Sequence, residues 1–383
     1  MWEPQSLYSK FANKQPVIFF GKNSVNGLFN YSANFILVIH GNSFSSLLKQ
    51  TLETIYKKKC IKFVRVSSNE PTLSLVHSVL RNVGEFSPDL VIAVGGGSII
   101  DLSKIVRLFI EYPSFNKLEH KVNCLPLRTK FVAIPSNIGS GAEASSAAVY
   151  FDEESKSKQM LVSHEFLPNV IVFDDTLLST IDTERLMLSL MDVMAHSIEG
   201  YTSNLDNSMS DLYAEQALCI VGNELQKNSE SFSLGRLQYA SYLAGMVQNH
   251  CLVGVVHAIA HQMSQFGYSH TKAVGYLLSK SIKLNLLNEN YQKKLLDLIS
   301  NSNLKNIDSL LLLLDTIYEK SSLNDEECSK FYQVIKSQLL LCDINEPAGI
   351  EFIDNICNDK GGKGNLVRLE RDYVKNYLME LCK

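Results

Sequence analysis

The chain is 383 residues long, 45% hydrophobic and 20% charged, with a formal net charge of -4. That balance fits a folded globular protein rather than a disordered or fibrous one, and it offers no basic footprint for nucleic acid or an anionic membrane surface. The length exceeds what one hydrophobic core usually fills, so two domains are expected.

Short β-branched runs alternate with helical patterns through the first half. Residues 35–39, 62–66, 90–94 and 131–134 are apolar and bounded by Gly, Pro, Asn and Ser, as buried parallel strands are. Between them, residues 72–86 place Leu73, Val76, Val79 and Leu80 on one helical side. This alternation predicts a Rossmann-like α/β domain, a parallel sheet covered on both faces. From about Thr183 the period changes to three and four. Residues 211–225, 237–263 and 273–287, and the segments around Leu310 and Tyr373, read as helices. The expected division is therefore an α/β domain over 1–180 and an all-α domain over 181–383.

No apolar run reaches the roughly 18 residues of a membrane span, and the start, Met1-Trp2-Glu3-Pro4-Gln5, lacks the pattern of a secretory signal. Eight cysteines without a C-x-x-C pair point to reduced thiols and a cytoplasmic protein.

Two groups of residues carry chemistry. The first is Val94-Gly95-Gly96-Gly97-Ser98-Ile99-Ile100-Asp101, which leaves a strand and enters a helical pattern. Three glycines permit close backbone approach, and the free amides of the next helix attract phosphate, which suits a dinucleotide pyrophosphate. It is not G-x-G-x-x-G, and a plain tight turn is the alternative. A second small-residue turn, Pro135-Ser136-Asn137-Ile138-Gly139-Ser140-Gly141-Ala142-Glu143, offers amides and hydroxyls beside it if the two strands are parallel neighbours. The other group is Asp192, His196, His257, His261 and His270. Asp192 and His196 are four apart, as are His257 and His261, so each pair shares a helical face. Together they suit a single metal ion; an isolated histidine of this kind would more often be a core or surface residue.

In this order and spacing the motifs resemble the iron-containing (group III) alcohol dehydrogenase family, over about residues 17 to 275. The family's G-G-G-S-x-x-D turn reads Gly95 to Asp101, its P-T-T-x-G-T-G-S-E loop Pro135 to Glu143, its D-x-x-x-H helix Asp192 to His196, and its G-x-x-H-x-x-x-H segment Gly254 to His261, followed by His270. The resemblance implies metal ligation by Asp192, His196, His257 and His270. It implies coenzyme contacts by Gly41, Gly95, Gly96, Gly97, Ser98, Asp101, Ser136, Asn137, Ser140 and Lys158. Lys104 also fits the family's pattern, in a structural role as readily as a functional one. His261 is no ligand in this family and is expected to relay a proton or touch the nicotinamide, with helix packing as the alternative. Three imidazoles and a carboxylate accept Fe(II) or Zn(II), and the resemblance favours iron.

Some positions depart from the family. Thr271 follows His270 where glycine is usual, and the interval from His261 is one residue shorter. After the strand at 35–39 the family often places an acidic residue for the ribose hydroxyls. Here the sequence is His40-Gly41-Asn42-Ser43, with no carboxylate and no arginine beside it. NADP is therefore permitted as well as NAD.

The expected activity is a metal-dependent, NAD(P)-linked interconversion of a primary alcohol and an aldehyde, in the cleft between the domains. The metal would act as a Lewis acid on the substrate oxygen while hydride passes between the carbinol carbon and the nicotinamide. A small aliphatic substrate is the safer class. The stretch from Ala142 to Tyr150 is similar to the branch that includes phosphonoacetaldehyde reductases, and Lys360, Lys363 and Arg368 are candidates for an anionic group or for a solvated basic tail. A homo-oligomer is expected, without nucleic acid or membrane partners. Two rivals are a lyase resembling dehydroquinate synthase, using NAD and metal without net oxidation, and a non-catalytic dinucleotide-binding protein with a structural metal.

Overall fold

The computed structural model describes residues 15–67, 70–113, 125–154, 157–179, 181–227 and 231–383. The reading made on Met1 to Gln5 lies outside them. The chain separates into two compact units. One ends at Ile181 and also holds Ser233–Gly245; the other holds Asp182–Phe232 and Met246–Lys383.

The first unit contains strands β1 (Val17–Phe20), β2 (Phe35–His40), β3 (Cys60–Arg65), β4 (Leu90–Gly95), β5 (Lys130–Pro135), β6 (Ala147–Asp152), β7 (Ser157–Val162) and β8 (Val170–Phe173). Its helices are α1 (Ser46–Ile55), α2 (Leu73–Val83) and α3 (Gly97–Glu111). Six strands form one parallel sheet in the order β1-β8-β5-β4-β2-β3, while β6 and β7 make an antiparallel hairpin. The period of two divides the strand residues between the faces. Leu37, Ile39, Val91, Ala93, Phe131 and Ala133 pack with residues of α2 and α3, and Ile36, Val38, Ile92, Val132, Ile134 and Val172 with Leu48 and Leu52 of α1. Each fully buried Val, Leu or Ile here contributes about 1.5–3 kcal/mol, so the sheet is the rigid platform of this unit. The helices begin where the sequence supplies caps: Ser45 Oγ accepts the Leu48 amide and Thr72 Oγ1 the Leu75 amide. The expected strands at 35–39, 62–66, 90–94 and 131–134 appear within two residues of their limits. β1 and β8, each four residues long, and the β6–β7 hairpin were not foreseen.

The second unit is helical: α4 (Thr183–Tyr201), α5 (Ser208–Leu225), the C-terminal end of α6 (Leu234–Cys251), α7 (Val255–Met263), α8 (His270–Asn285), α9 (Glu289–Asn301), α10 (Ile307–Lys320), α11 (Asp325–Asp343), α12 (Pro347–Cys357) and α13 (Arg371–Leu381). The expected single helix over 237–263 is instead two. Leu252 takes φ 59°, in the left-handed region that ends helices. Gly254 then starts α7 at a point where a Cβ would lie 2.6 Å from Glu199 Oε1 and 2.9 Å from Asn365 Oδ1. The apolar period runs straight through this break, which is why the sequence hides it. The N-terminal part of α6 clusters with the first unit because it docks on the second small-residue turn. The Gly139 amide donates to Ser241 Oγ at 2.8 Å, and Gln238 Nε2 donates to the Pro135 carbonyl at 2.8 Å. Gly141, at φ 57°, lies against Gly245 with no room for a side chain. Among the described residues, no single helix is long and apolar enough to cross a membrane.

Candidate metal centre and coenzyme turn

α4, α7 and α8 bring four of the singled-out side chains to one point. Asp192 and His196 sit one turn apart on the buried face of α4, and both are almost fully enclosed. His257, in the first turn of α7, is fully buried, and His270 opens α8 with about a quarter of its side chain exposed. The Nε2 atoms of His257, His270 and His196 lie 3.3, 3.5 and 3.7 Å from a single oxygen, Asp192 Oδ1. Four ligands about 2.1 Å from one tetrahedral ion are separated by about 3.4 Å, so this set has the dimensions of a coordination shell. Asp192 Oδ1 and His257 Nε2 are moreover buried without a hydrogen-bond partner. Such atoms are costly unless something polar or charged engages them. The tightest group is Asp192, His196 and His257, whose ligand atoms lie within 4.8 Å of one another.

The electrostatics point the same way. Burial works to raise the Asp192 carboxyl, but His196, His257 and His270 hold it well below the usual carboxylate range. Burial pushes His196 down to about 4. At His257 burial also pulls downward, yet Asp192 and Glu199 carry it up to about 10. An ionised carboxylate beside a neutral imidazole is the ligating form of both groups. The charge that the two carboxylates draw onto His257 marks the point as one that favours a cation.

Two residues of the site were not singled out from the sequence. Glu199 Oε2 is 2.6 Å from His257 Nδ1, and its other oxygen accepts the Val256 amide at 2.8 Å. It stands three residues after His196 on α4, so the same facial spacing would have found it. Asp359 Oδ2 is 2.8 Å from His261 Nδ1, while its Oδ1 accepts the Gly362 amide. That partner lies 98 positions from His261, with no local signal. The His261 ring stacks on His270, centroids 5.2 Å apart, and so belongs to the cluster.

In the first unit β4 and β5 are parallel neighbours, and the two small-residue turns therefore adjoin. Gly96 precedes α3, where a Cβ would lie 2.8 Å from Asn137 Nδ2; a Cβ on Gly97 would clash with Ser140 Oγ. Only glycine allows that approach, and it leaves the first amides of α3, including that of Ser98, for an anion. Gly41 comes alongside through its amide bond to the Val94 carbonyl, 3.1 Å, and Ser43 Oγ is 2.7 Å from Ser136 Oγ. The Asp101 carboxylate accepts from Lys104 Nζ at 2.9 Å and from the Val149 amide at 3.1 Å. The fully buried Lys104 also donates to the Ala142 and Ala147 carbonyls, tying α3 to the second turn, which is a structural role. Lys158 lies on β7 with its ammonium 2.8 Å from the Glu70 carboxylate.

Comparisons with known proteins give the family. The family model described as iron-containing alcohol dehydrogenase matches residues 16–175, and the one described as the C-terminal part of the Fe-containing alcohol dehydrogenase family matches 186–379. An NADPH-dependent butanol dehydrogenase of Clostridium saccharobutylicum is 30% identical over 318 residues, 79% of this chain and 82% of that protein. An alcohol dehydrogenase of Thermococcus barophilus is 34% identical over 203 residues, 50% of this chain and 53% of that one. Among solved structures, an iron-containing alcohol dehydrogenase from Thermococcus thioreducens superposes with a TM-score of 0.81 at 22% identity, covering 97% of this chain and 99% of the other. At that identity the likeness speaks for the fold alone.

Proposed function

The chain belongs to the iron-containing alcohol dehydrogenase family and is an NAD(P)-linked, metal-dependent oxidoreductase of alcohols and aldehydes, and from that premise we propose how its own residues carry the reaction. Asp192, His196, His257 and His270 hold the metal. The observation that carries this is the convergence of three Nε2 atoms on Asp192 Oδ1 within 3.7 Å. When bound there, a divalent ion supplies Lewis acidity to the substrate oxygen in either direction of hydride transfer.

The chain's contribution is otherwise positioning and proton handling. The amides that follow Gly96 hold the coenzyme pyrophosphate, with Ser136, Asn137 and Ser140 beside them and Gly41 giving the backbone room. Asp101 lines the same turn while its carboxylate also holds Lys104 and the Val149 amide, and Lys158 acts through its charge at the hairpin. His261, with Nδ1 committed to Asp359, exchanges a proton at Nε2.

A small aliphatic alcohol or aldehyde is the proposed substrate class, supported by the butanol dehydrogenase and by a 1-propanol dehydrogenase of Citrobacter freundii, 32% identical over 221 residues. Phosphonoacetaldehyde is the anionic variant, for which Lys360, following Asp359, supplies the nearest named cation in sequence. The scattered thiols support a cytoplasmic setting. The edge strand β1, with Val17 and Phe20 more than half exposed, supports a homo-oligomer. The family membership favours the dehydrogenase over the lyase and scaffold readings. Metal analysis, combined with a panel of alcohols and aldehydes followed through NADH and NADPH absorbance, tests the reading. Undiminished turnover in metal-free protein, or no change in coenzyme redox state with any substrate, would overturn it.

A further inference from the structure

The residues after β2 contain no arginine, yet the sheet supplies one from the next strand. β4, β2 and β3 are consecutive in the sheet, and their registers align His40 with both Val94 and Arg65. Three C-terminal strand ends therefore stand level: the glycine turn, then Gly41-Asn42, then Arg65. The Gly41 amide is bonded to Val94, and a Cβ on Gly41 would lie 3.4 Å from Ile99 Cγ1 of α3, so this backbone passes directly beside the turn. One strand further on, Arg65 donates from Nη2 to Asn42 Oδ1 at 3.1 Å. Adjacent strands are about 4.8 Å apart, so Arg65 lies roughly 10 Å from the turn.

We infer that Arg65 and Asn42 form a pocket for the 2′-phosphate of the coenzyme adenosine, making the enzyme NADP(H)-linked. This rests on the dehydrogenase reading above. A dinucleotide whose pyrophosphate sits on the first amides of α3 brings its adenosine ribose to the end of the neighbouring strand β2. Discrimination in favour of NAD normally uses a carboxylate to accept the ribose hydroxyls and repel a 2′-phosphate, and His40-Gly41-Asn42-Ser43 carries no carboxylate. A guanidinium is the reverse instrument. It is always charged, and its planar fork matches a phosphate. Arg65 is exposed, and its bond here is to a neutral amide, which leaves further N–H donors of the fork for an anion. The local field is positive beyond Arg65 alone. The His40 imidazole is held below its ordinary value first by burial, then by the nearby charges of Arg65 and Lys49. Lys49 reaches across from α1, its ammonium 5.2 Å from the Phe63 ring centroid.

The test uses two fragments that differ only at the position in question, adenosine 2′,5′-bisphosphate and 5′-AMP, titrated calorimetrically into the holoenzyme. The bisphosphate should bind about 10- to 100-fold more tightly, as expected of one or two charge-assisted bonds. Arg65→Ala should remove most of that preference, and Arg65→Lys should restore part of it. The ratio of kcat/KM for NADPH over NADH should fall in parallel, through KM. Unfolding temperatures of the variants provide the folding control. Equal binding of the two fragments, or a preference that survives Arg65→Ala, overturns the inference and leaves the dehydrogenase standing. Failure of the enzyme to bind either fragment overturns the coenzyme reading itself, and the inference with it.

Discussion

Glu199 grips His257 from behind: its Oε2 lies 2.6 Å from Nδ1, on the side of the ring away from Asp192 Oδ1, which is 3.3 Å from Nε2. The buried carboxylate thereby makes Nδ1 the protonated nitrogen and turns the Nε2 lone pair toward the metal centre. Because Glu199 also accepts the Val256 amide, the same side chain fixes the start of α7 and the orientation of its histidine. Glu199→Gln keeps the shape and removes the charge. Metal affinity should fall about 10- to 100-fold, the usual cost of losing such support. Competition with a chelator of known affinity measures this, and an unchanged affinity would show that the contact only packs α7.

Replacing the shared oxygen proposed as a ligand should be more severe. Asp192→Ala removes the atom on which all three imidazoles converge, leaving His196 buried without that carboxylate and His257 with Glu199 alone. Bound metal should drop to trace amounts and turnover to background, by elemental analysis and coenzyme absorbance on the same preparation. His257→Ala should behave alike. Full activity in a metal-depleted Asp192→Ala protein would refute the ligand assignment.

Much of this was legible in the chain itself, for identifiable reasons. A fully buried parallel strand such as β4 announces itself as a run of apolar residues, since neither face tolerates a polar one. The proposed metal residues of α4 show because i, i+4 spacing on a helix is a local rule, and α4 obeys it. What stayed hidden depends on tertiary placement. The break at Leu252 is imposed by what Gly254 must pass, not by any loss of apolar period. Asp359 meets His261, and Arg65 meets Asn42, only after the chain has folded. Asp101 combines the two. It matches a motif, and only the folded chain shows that its carboxylate also holds Lys104 and the Val149 amide.

The pairing of His261 with Asp359 separates a proton relay from simple helix packing. With Nδ1 held by the carboxylate at 2.8 Å, the exchangeable position of the ring is Nε2. Asp359→Asn leaves a neutral partner that no longer enforces that tautomer. A positioned acid–base group contributes about 10²- to 10⁴-fold, so loss of its orientation should lower kcat by about tenfold or more. KM and metal content should change little. If kcat is unaltered while only the unfolding temperature moves, His261 serves packing alone.

Glu143, in the second small-residue turn, gives the protein a pH-dependent liability. Burial raises its carboxyl from an ordinary 4.5 to about 7; its own amide and Lys104 oppose this, and Asp101 adds to it. Between those two values the folded protein holds a proton that the unfolded chain has released. Stability therefore declines as pH rises through this window, and the penalty is complete above about 7. A shift of this size corresponds to about 3 kcal/mol at 1.36 kcal/mol per unit. Glu143→Gln carries no charge to desolvate, so it should unfold at a higher temperature than the parent at pH 8. That advantage should shrink steadily toward pH 5 and vanish below 4.5, where the parent carboxyl is protonated in both states. Thermal unfolding of both proteins at several pH values reads the effect directly. A difference that stays constant from pH 5 to 8 would mean that the side chain's shape, not its charge, is what this turn responds to.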